Sequence, residues 1–430
     1  MVRFISSFAR HVLSRTYRFL LFFEKVYVQF QISRKVDECC DIRRLDHAKI
    51  KIGFFVVFDS VFSFRRVFEL MLKDGHFEPN IIVIPDVSRG EEHMKACLEE
   101  SWMRLHDKYG ECVLSSMGGD GFIDFSGKYD LYYMANVYKG MTHKYYQLPY
   151  LARRQCPLIT SRYYTEAYTI YAPIFCRLSE LSYVWRFYVD DYDDWRMMRR
   201  QQYILAMFNR IKIAGNPRLD DFAYVKRRCR NRKKIIIAPH QAFDSKERLC
   251  IGTFPMYADF FKDLPRMFPE VDWVFRPHPL LVQRMINSNI WTAEDAKAYV
   301  GELQACSNVE VQMGGEYIES FVNSDGLIQD CASFLPEYYL TGKPQCYLFR
   351  GRDTETRQFL PQASKYFSGV YKAYCAEDII HFIKEVVLNE RDNLAQKRAE
   401  LMECKLAVNY PHASEAIVAD IKKALKCEGD

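Results

Sequence analysis

The sequence predicts an α/β protein of two Rossmann-like halves preceded by an amphipathic helix. Three observations predict it. Short apolar runs alternate with helical segments in both halves, as in strands joined by crossover helices in a parallel sheet. Two runs in the C-terminal half, Ile235–Ala238 and Val274–Phe275, each lead to a histidine beside proline, His240 and His278. A third, Gly326–Ile328, enters a polar turn, Gln329-Asp330-Cys331-Ala332-Ser333, and then a helix over Phe334–Leu340.

The bounds agree with a folded enzyme-sized chain. At 430 residues, 49% hydrophobic and 27% charged, the chain is globular and long enough for two or three domains. A net charge of +5 is too small to imply nucleic acid, and no nucleic-acid partner is expected. The 14 cysteines show no C-x-x-C pair and no Cys/His metal spacing, so reduced thiols inside a cell are expected, with no metal and no cofactor.

Residues 1–46 form the first segment. Phe4, Ile5, Phe8, Val12, Leu13, Tyr17, Leu20 and Leu21 recur at helical spacing among Arg3, Arg10, Arg15, Arg18 and Lys25. The run Phe19–Phe23 is too short to span a bilayer, and no small-residue cleavage site follows it. A basic amphipathic helix either lies on an anionic membrane surface or packs on its own domain, and amphipathicity alone does not separate these.

Residues 47–204 read as the N-terminal Rossmann-like domain. Lys49–Asp59 is a buried strand, Ser60 caps a helix through Leu72, and Asn80–Pro85 is the next strand. A charged helix over Gly90–Lys108 follows, then strands at Glu111–Ser115 and Asp130–Met134. The glycines of Met117–Gly121 lack the Gly-Lys-Ser/Thr of a P-loop and read as turn residues. Tyr132–Tyr171 is dense in tyrosine, with His143, Arg153, Arg154 and Arg162 interspersed; it either holds an acceptor or packs beneath a surface loop. Asp190–Asp194 reads as an exposed acidic turn, since it does not end an apolar strand. The basic run Lys226–Lys234 is a solvated linker or a contact for an anionic surface.

Residues 205–430 read as the C-terminal, nucleotide-donor domain. Strands at Ile235–Pro239, Asp272–Phe275, Val309–Gln312, Gly326–Ile328 and Gln345–Phe349 alternate with helices at Met256–Met267, Ala293–Cys306 and Tyr317–Asn323. Helices over Ala376–Leu388, Arg391–Leu406 and Ser414–Leu425 close it. In an open parallel sheet the carboxyl ends of the strands share one edge, where ligands bind. That edge would gather His240, His278 and Ser333. The turn before the helix at Phe334 suits an anion such as phosphate; the plain alternative is a turn that Ser333 merely caps.

Four segments, in order, carry a resemblance: Gly215-Asn216-Pro217-Arg218-Leu219-Asp220, Ala238-Pro239, Arg276-Pro277-His278-Pro279 and Ser324–Pro344. Over roughly residues 205–425 the chain resembles the CDP-glycerol glycerophosphotransferases of teichoic-acid and capsule synthesis. The resemblance implies a glycosyltransferase-B-like fold with two Rossmann-like domains facing a cleft. It implies a transferase that moves glycerophosphate, or a related polyol phosphate, from a CDP-activated donor to a hydroxyl of a cell-surface polymer or lipid-linked acceptor. Such an enzyme would be cytoplasmic and peripheral on the inner face of the cell membrane.

The same resemblance makes His278 a pyrophosphate-contacting or acid/base residue and Ser333 a phosphate ligand. Arg218, Arg276 and Asn216 become further donor-binding candidates, and Asp330 and Glu337 orient the turn or bind a polyol hydroxyl. His240 is a second catalytic candidate, standing where the family usually has threonine. Two departures stand out. Cys331-Ala332 replaces a Tyr-Ser pair, and no His-Gly-Thr occurs in the N-terminal half, where Gly140-Met141-Thr142-His143 is the nearest stretch. Two alternatives therefore stay open: a glycosyltransferase using a nucleotide sugar, and a non-catalytic subunit of a capsule-assembly complex.

Overall fold

The computed structural model describes residues 2–46, 48–119, 121–403 and 406–427. They fold into two compact units. The first comprises Met1–Tyr163, Cys176–Arg218 and His412–Asp430; the second comprises Tyr164–Phe175 and Leu219–Pro411. The first unit thus extends past the expected boundary at 204/205 and also takes the last helix, Ala413–Ala424. Two ion pairs tie that helix to the helix Arg65–Lys73 and its cap: Arg66 to Glu415 at 3.4 Å and Lys422 to Asp74 at 2.9 Å.

The first unit's strands are β1 (Ile50–Val56), β2 (Phe77–Val83), β3 (Val113–Ser115), the hairpin β4 (Met117–Gly118) and β5 (Gly121–Phe122), β6 (Leu131–Met134), β7 (Leu158–Ser161), β8 (Arg186–Val189) and β9 (Ile211–Ile213). Seven of them make one sheet in the order β3-β2-β1-β6-β7-β8-β9, with every pair parallel. The expected glycine turn at 117–121 is the hairpin β4-β5.

The second unit holds β10 (Lys234–Ala238), β11 (Asp272–Phe275), β12 (Val309–Val311), β13 (Gly326–Gln329), β14 (Gln345–Leu348) and β15 (Tyr371–Ala373). Their order is β12-β11-β10-β13-β14-β15, again all parallel. Each sheet grows outward in one direction for its first three strands, then restarts on the other side of its first strand. This is the doubly wound Rossmann pattern. Core packing explains the uninterrupted apolar strands. Ile235, Ile237, Trp273, Phe275 and Ile328 enter one hydrophobic cluster, while Ile236, Ala238, Val274 and Leu327 enter another. Successive side chains alternate between sheet faces, and both faces here are covered, so polar alternation has no place.

The N-terminal helix runs over Val2–Asp46. The expected apolar face at Phe4, Ile5, Phe8, Val12 and Leu13, with Arg3, Arg10, Arg15 and Arg18, concerns side chains outside those described. From Lys25 onward one face packs within the first unit: Val28, Ile32, Val36 and Cys40 are buried at every fourth residue. Gln29 donates to the carbonyls of Ser182 (3.0 Å) and Val184 (2.9 Å) and accepts from Arg210 Nε at 3.0 Å. Among the described residues no helix is long and apolar enough to cross a membrane.

The acidic stretch 190–194 differs from expectation. Asp191 caps the helix Tyr192–Gln201, and Asp194 is fully buried in an ion pair with Arg162. A buried guanidinium needs a buried carboxylate, and Asp194 is the residue that supplies it.

Candidate active site

The second sheet reverses its winding between β10 and β13, which makes the crevice beyond their carboxyl ends the expected ligand site. His240 lies two residues past the end of β10, Asp330 one residue past β13, and His278 three past β11, the neighbour of β10 on its other side.

Asp330 holds this edge together. It is fully buried and accepts the backbone N–H of His240 at 2.5 Å through one oxygen. Its other oxygen accepts both the N–H and the hydroxyl of Thr253, the latter at 2.7 Å. One carboxylate therefore joins the end of β13, the end of β10 and the start of the helix Phe254–Met267. Burial raises its pKa to about 6 against these hydrogen bonds, so it is ionised at neutral pH.

The two imidazoles are neighbours, with ring centroids 5.1 Å apart and planes at 73°. Each is held in the same way. The Ala242 N–H donates to His240 Nδ1 at 3.2 Å, and the Leu280 N–H donates to His278 Nδ1 at 3.1 Å. A nitrogen that accepts a hydrogen bond carries its lone pair, so in the neutral form of each ring the proton sits on Nε2. The His278 N–H also donates to the Pro239 carbonyl at 2.9 Å, tying the two loops together. Burial, then the proximity of His278 and Arg284, pushes the His240 pKa down to about 3, so that ring is neutral.

Ser333 precedes the helix Phe334–Tyr338 but makes no side-chain cap bond; its hydroxyl lies 3.4 Å from Cys331 Sγ. The hydroxyl therefore does not play the capping role of the plain alternative. That helix is only five residues long and passes into a 3-10 turn at Tyr339–Thr341, so its dipole is small. Cys331 is buried with its thiol pushed up to about 11, which rules it out as a thiolate nucleophile.

Other candidates have structural partners. Arg276 donates to Gln312 Oε1 at 2.8 Å and to the carbonyls of Gly314 (3.3 Å) and Gly315, and its guanidinium lies 5.5 Å from the Tyr317 ring centre. It braces the loop after β12. Glu337 is buried and accepts from Thr165 Oγ1 at 2.8 Å and from the Tyr317 hydroxyl. Asn216 and Arg218 belong to the first unit. There Gly215 adopts φ +83°, Asn216 Oδ1 accepts the Arg218 N–H at 3.1 Å, and Arg218 donates to the Ser60 carbonyl at 2.9 Å.

Sequence reasoning missed three residues that shape this edge. Thr253 is one. Gly252 is another: a Cβ there would sit 2.7 Å from the His240 carbonyl oxygen, so the loop closes only on glycine. Arg350 is the third, donating to the carbonyls of Phe243 (3.1 Å) and Gly252 (2.6 Å) and clamping both ends of that loop.

No family model and no curated protein matches the sequence. Solved structures match the fold. A UDP-N-acetylglucosamine 2-epimerase is 13% identical at TM-score 0.53, covering 89% of this chain and 97% of that one. The Neisseria meningitidis UDP-GlcNAc 2-epimerase, bound to UDP-GlcNAc, is 14% identical at TM-score 0.51 over 87% of this chain and all of its own. The wall teichoic acid polymerase TagF is 14% identical at TM-score 0.50, covering 94% of this chain and 98% of that one. The fold is therefore α/β and glycosyltransferase-B-like, shared with enzymes of nucleotide-sugar and teichoic-acid chemistry. At such identities the likeness extends to fold alone.

Proposed function

We propose that the protein is a transferase that moves glycerophosphate, or a related polyol phosphate, from a CDP-activated donor to a hydroxyl of a polymer or lipid-linked acceptor. One observation carries this reading. Two imidazoles, each fixed as an Nε2–H donor, stand side by side at the reversal point of a parallel sheet, on the same edge as the Ser333 hydroxyl. Preorganised N–H donors at such a crevice suit a diphosphate.

In the reaction, the acceptor oxygen bonds to the β-phosphorus while the bond from that phosphorus to the bridging oxygen breaks and CMP leaves with that oxygen. His278 and His240 donate Nε2–H bonds to the phosphate oxygens, whose charge rises in the transition state, and Ser333 adds a hydroxyl. Asp330 positions the His240 loop and does not touch the donor. In this tautomer neither histidine has a lone pair on Nε2, so the proton of the acceptor hydroxyl passes to water or to the phosphate of the departing CMP.

A glycosyltransferase acting on a nucleotide sugar is the second reading, favoured by the fold likeness to a protein bound to UDP-GlcNAc. Screening nucleotide donors for release of the nucleotide tests both. CMP released from CDP-glycerol or another CDP-polyol in the presence of an acceptor supports the first reading. UDP released from UDP-sugars alone replaces it with the second, and silence across donors with tight binding retained leaves a non-catalytic subunit.

A further inference from the structure

A diphosphate brings negative charge to the strand-end edge of the second unit, and hydrogen bonds alone do not neutralise it. His240 is neutral and Ser333 offers an uncharged hydroxyl, so a cation is needed there. Arg276 and Arg350 stand on this edge but spend their N–H groups on protein. Arg276 donates to Gln312 and the carbonyls of Gly314 and Gly315, and Arg350 to the carbonyls of Phe243 and Gly252. Arg284 is held differently. It lies on the helix Leu281–Asn287, whose first N–H donates to the His278 carbonyl at 2.8 Å. Its guanidinium grips both carboxylate oxygens of Glu247, one of them at 2.8 Å. Glu247 belongs to the loop that starts at His240, so this ion pair joins the two chain segments that carry the two imidazoles. Burial, then His278, then Arg284 lower the His240 pKa, so the field of this guanidinium reaches the ring.

The loop 241–252 is fixed at its stem and lightly held at its tip. Asp330 takes the N–H groups of His240 and Thr253 at its two ends, and Arg350 clamps Phe243 to Gly252. Gln358 Oε1 accepts the Cys250 N–H at 2.9 Å. Residues 245–248 are exposed. Among the described residues, the side chains of that tip reach another element through the Glu247–Arg284 pair alone. The arginine and glutamate side chains are 33% and 41% exposed, a range in which an ion pair adds little to stability and is readily exchanged. A phosphate presents a guanidinium with the same pair of oxygens as a carboxylate, and with more charge.

We propose that Arg284 is a diphosphate-binding residue of the donor site and that Glu247 is its intramolecular competitor, holding the guanidinium fork in place and giving it up when phosphate arrives. That role rests on the diphosphate site of the proposed function and names the cation that the site uses. It also makes the loop respond to the donor, because the tip loses its outward side-chain contact once Glu247 is displaced.

The test is isothermal titration calorimetry of the full chain with inorganic pyrophosphate, and with CDP and UDP, in the absence of acceptor. Arg284→Gln should weaken binding by about tenfold or more. Arg284→Lys keeps the charge without the fork and should fall between that variant and the wild type. Glu247→Gln should tighten binding by about two- to fivefold, because the competitor is gone. A pair that only supported the loop would make both single variants bind worse. In the Arg284→Gln background, Glu247→Gln should change nothing, whereas a carboxylate that merely repels the ligand would still give its gain there. No pyrophosphate binding by the wild type, undiminished binding by Arg284→Gln, weaker or equal binding by Glu247→Gln, or the same gain in both backgrounds overturns the proposal. Pyrophosphate carries no base, so failure here is separate from failure of the donor screen. CMP released from CDP-polyols by a protein whose Glu247→Gln variant gains no affinity would keep the function and discard the competitor.

Discussion

The two sheets share a winding order but differ at the strands where that order reverses. In the first unit those strands are β1 and β6, and one face of the sheet along them is packed with rings. Phe54, Phe62 and Phe64 surround Tyr133, with Phe64 stacked on it at 4.3 Å, and the Tyr133 hydroxyl pairs with Ser63 at 2.9 Å. In the second unit the chain leaves β10 and β13 through His240 and Asp330, bonded across the reversal. The topology creates an edge in both units, and the residues at the strand ends decide what chemistry that edge can offer. The proposed function rests on His240, His278, Asp330 and Ser333, and the shared strand order alone would assign it equally to either half.

The largest effect expected from this contrast is at His278. Replacing it by alanine removes one fixed donor and should lower turnover, read as CMP release, by about 10²- to 10³-fold with the fold intact. Glutamine offers the sharper test, because its amide N–H reaches the position of Nε2–H whereas asparagine reaches only that of Nδ1. His278→Gln should retain more activity than His278→Asn. The reverse order, or near-normal turnover in the alanine variant, would remove the imidazole from the chemistry.

Much of this edge was legible in the sequence, for a physical reason. A strand covered on both faces must be continuously apolar, so Ile235–Ala238, Asp272–Phe275 and Gly326–Gln329 stand out, and their ends mark the crevice. The short strands Leu158–Ser161, Arg186–Val189, Ile211–Ile213 and Tyr371–Ala373 did not stand out. They are three or four residues long and carry serine, arginine or lysine, too brief for any period to register. The bracing residues were invisible for a different reason. Thr253 meets Asp330 across 77 positions and Arg350 meets Phe243 across 107, and no local pattern announces such pairs. Asp194 failed in the opposite sense, since a run of aspartates looks solvated until its buried partner Arg162 is known.

A smaller effect concerns acid. His240 stays neutral in the folded protein down to about 3, whereas in the unfolded chain it takes a proton near its ordinary value of 6.5. Between those values the unfolded state binds the extra proton, so acidification costs stability through this residue. Asp330 acts with the opposite sign: its folded pKa of about 6 exceeds the ordinary aspartate value of 3.8, and protonation in that window favours the folded state. His240→Gln removes the first contribution and keeps the second. Urea midpoints measured from about pH 7 down to about pH 4 should therefore fall more steeply for the wild type than for the variant. Parallel curves would mean that the imidazole is hydrated as it is in the unfolded chain.

The smallest effect is expected at the packed counterpart in the first unit. Tyr133 is buried, and desolvation holds its hydroxyl proton firmly in place, so the side chain acts there as a ring with one hydrogen bond to Ser63. Tyr133→Phe keeps the ring and its stacking on Phe64 while leaving Ser63 to find another partner. The cost should be about 1 kcal/mol of stability, read from urea denaturation, with the rate of nucleotide release unchanged. A change in turnover comparable to that of His278→Ala would show that the aromatic face takes part in the reaction. The contrast between a packed sheet face and a chemical strand-end edge would then have to be abandoned.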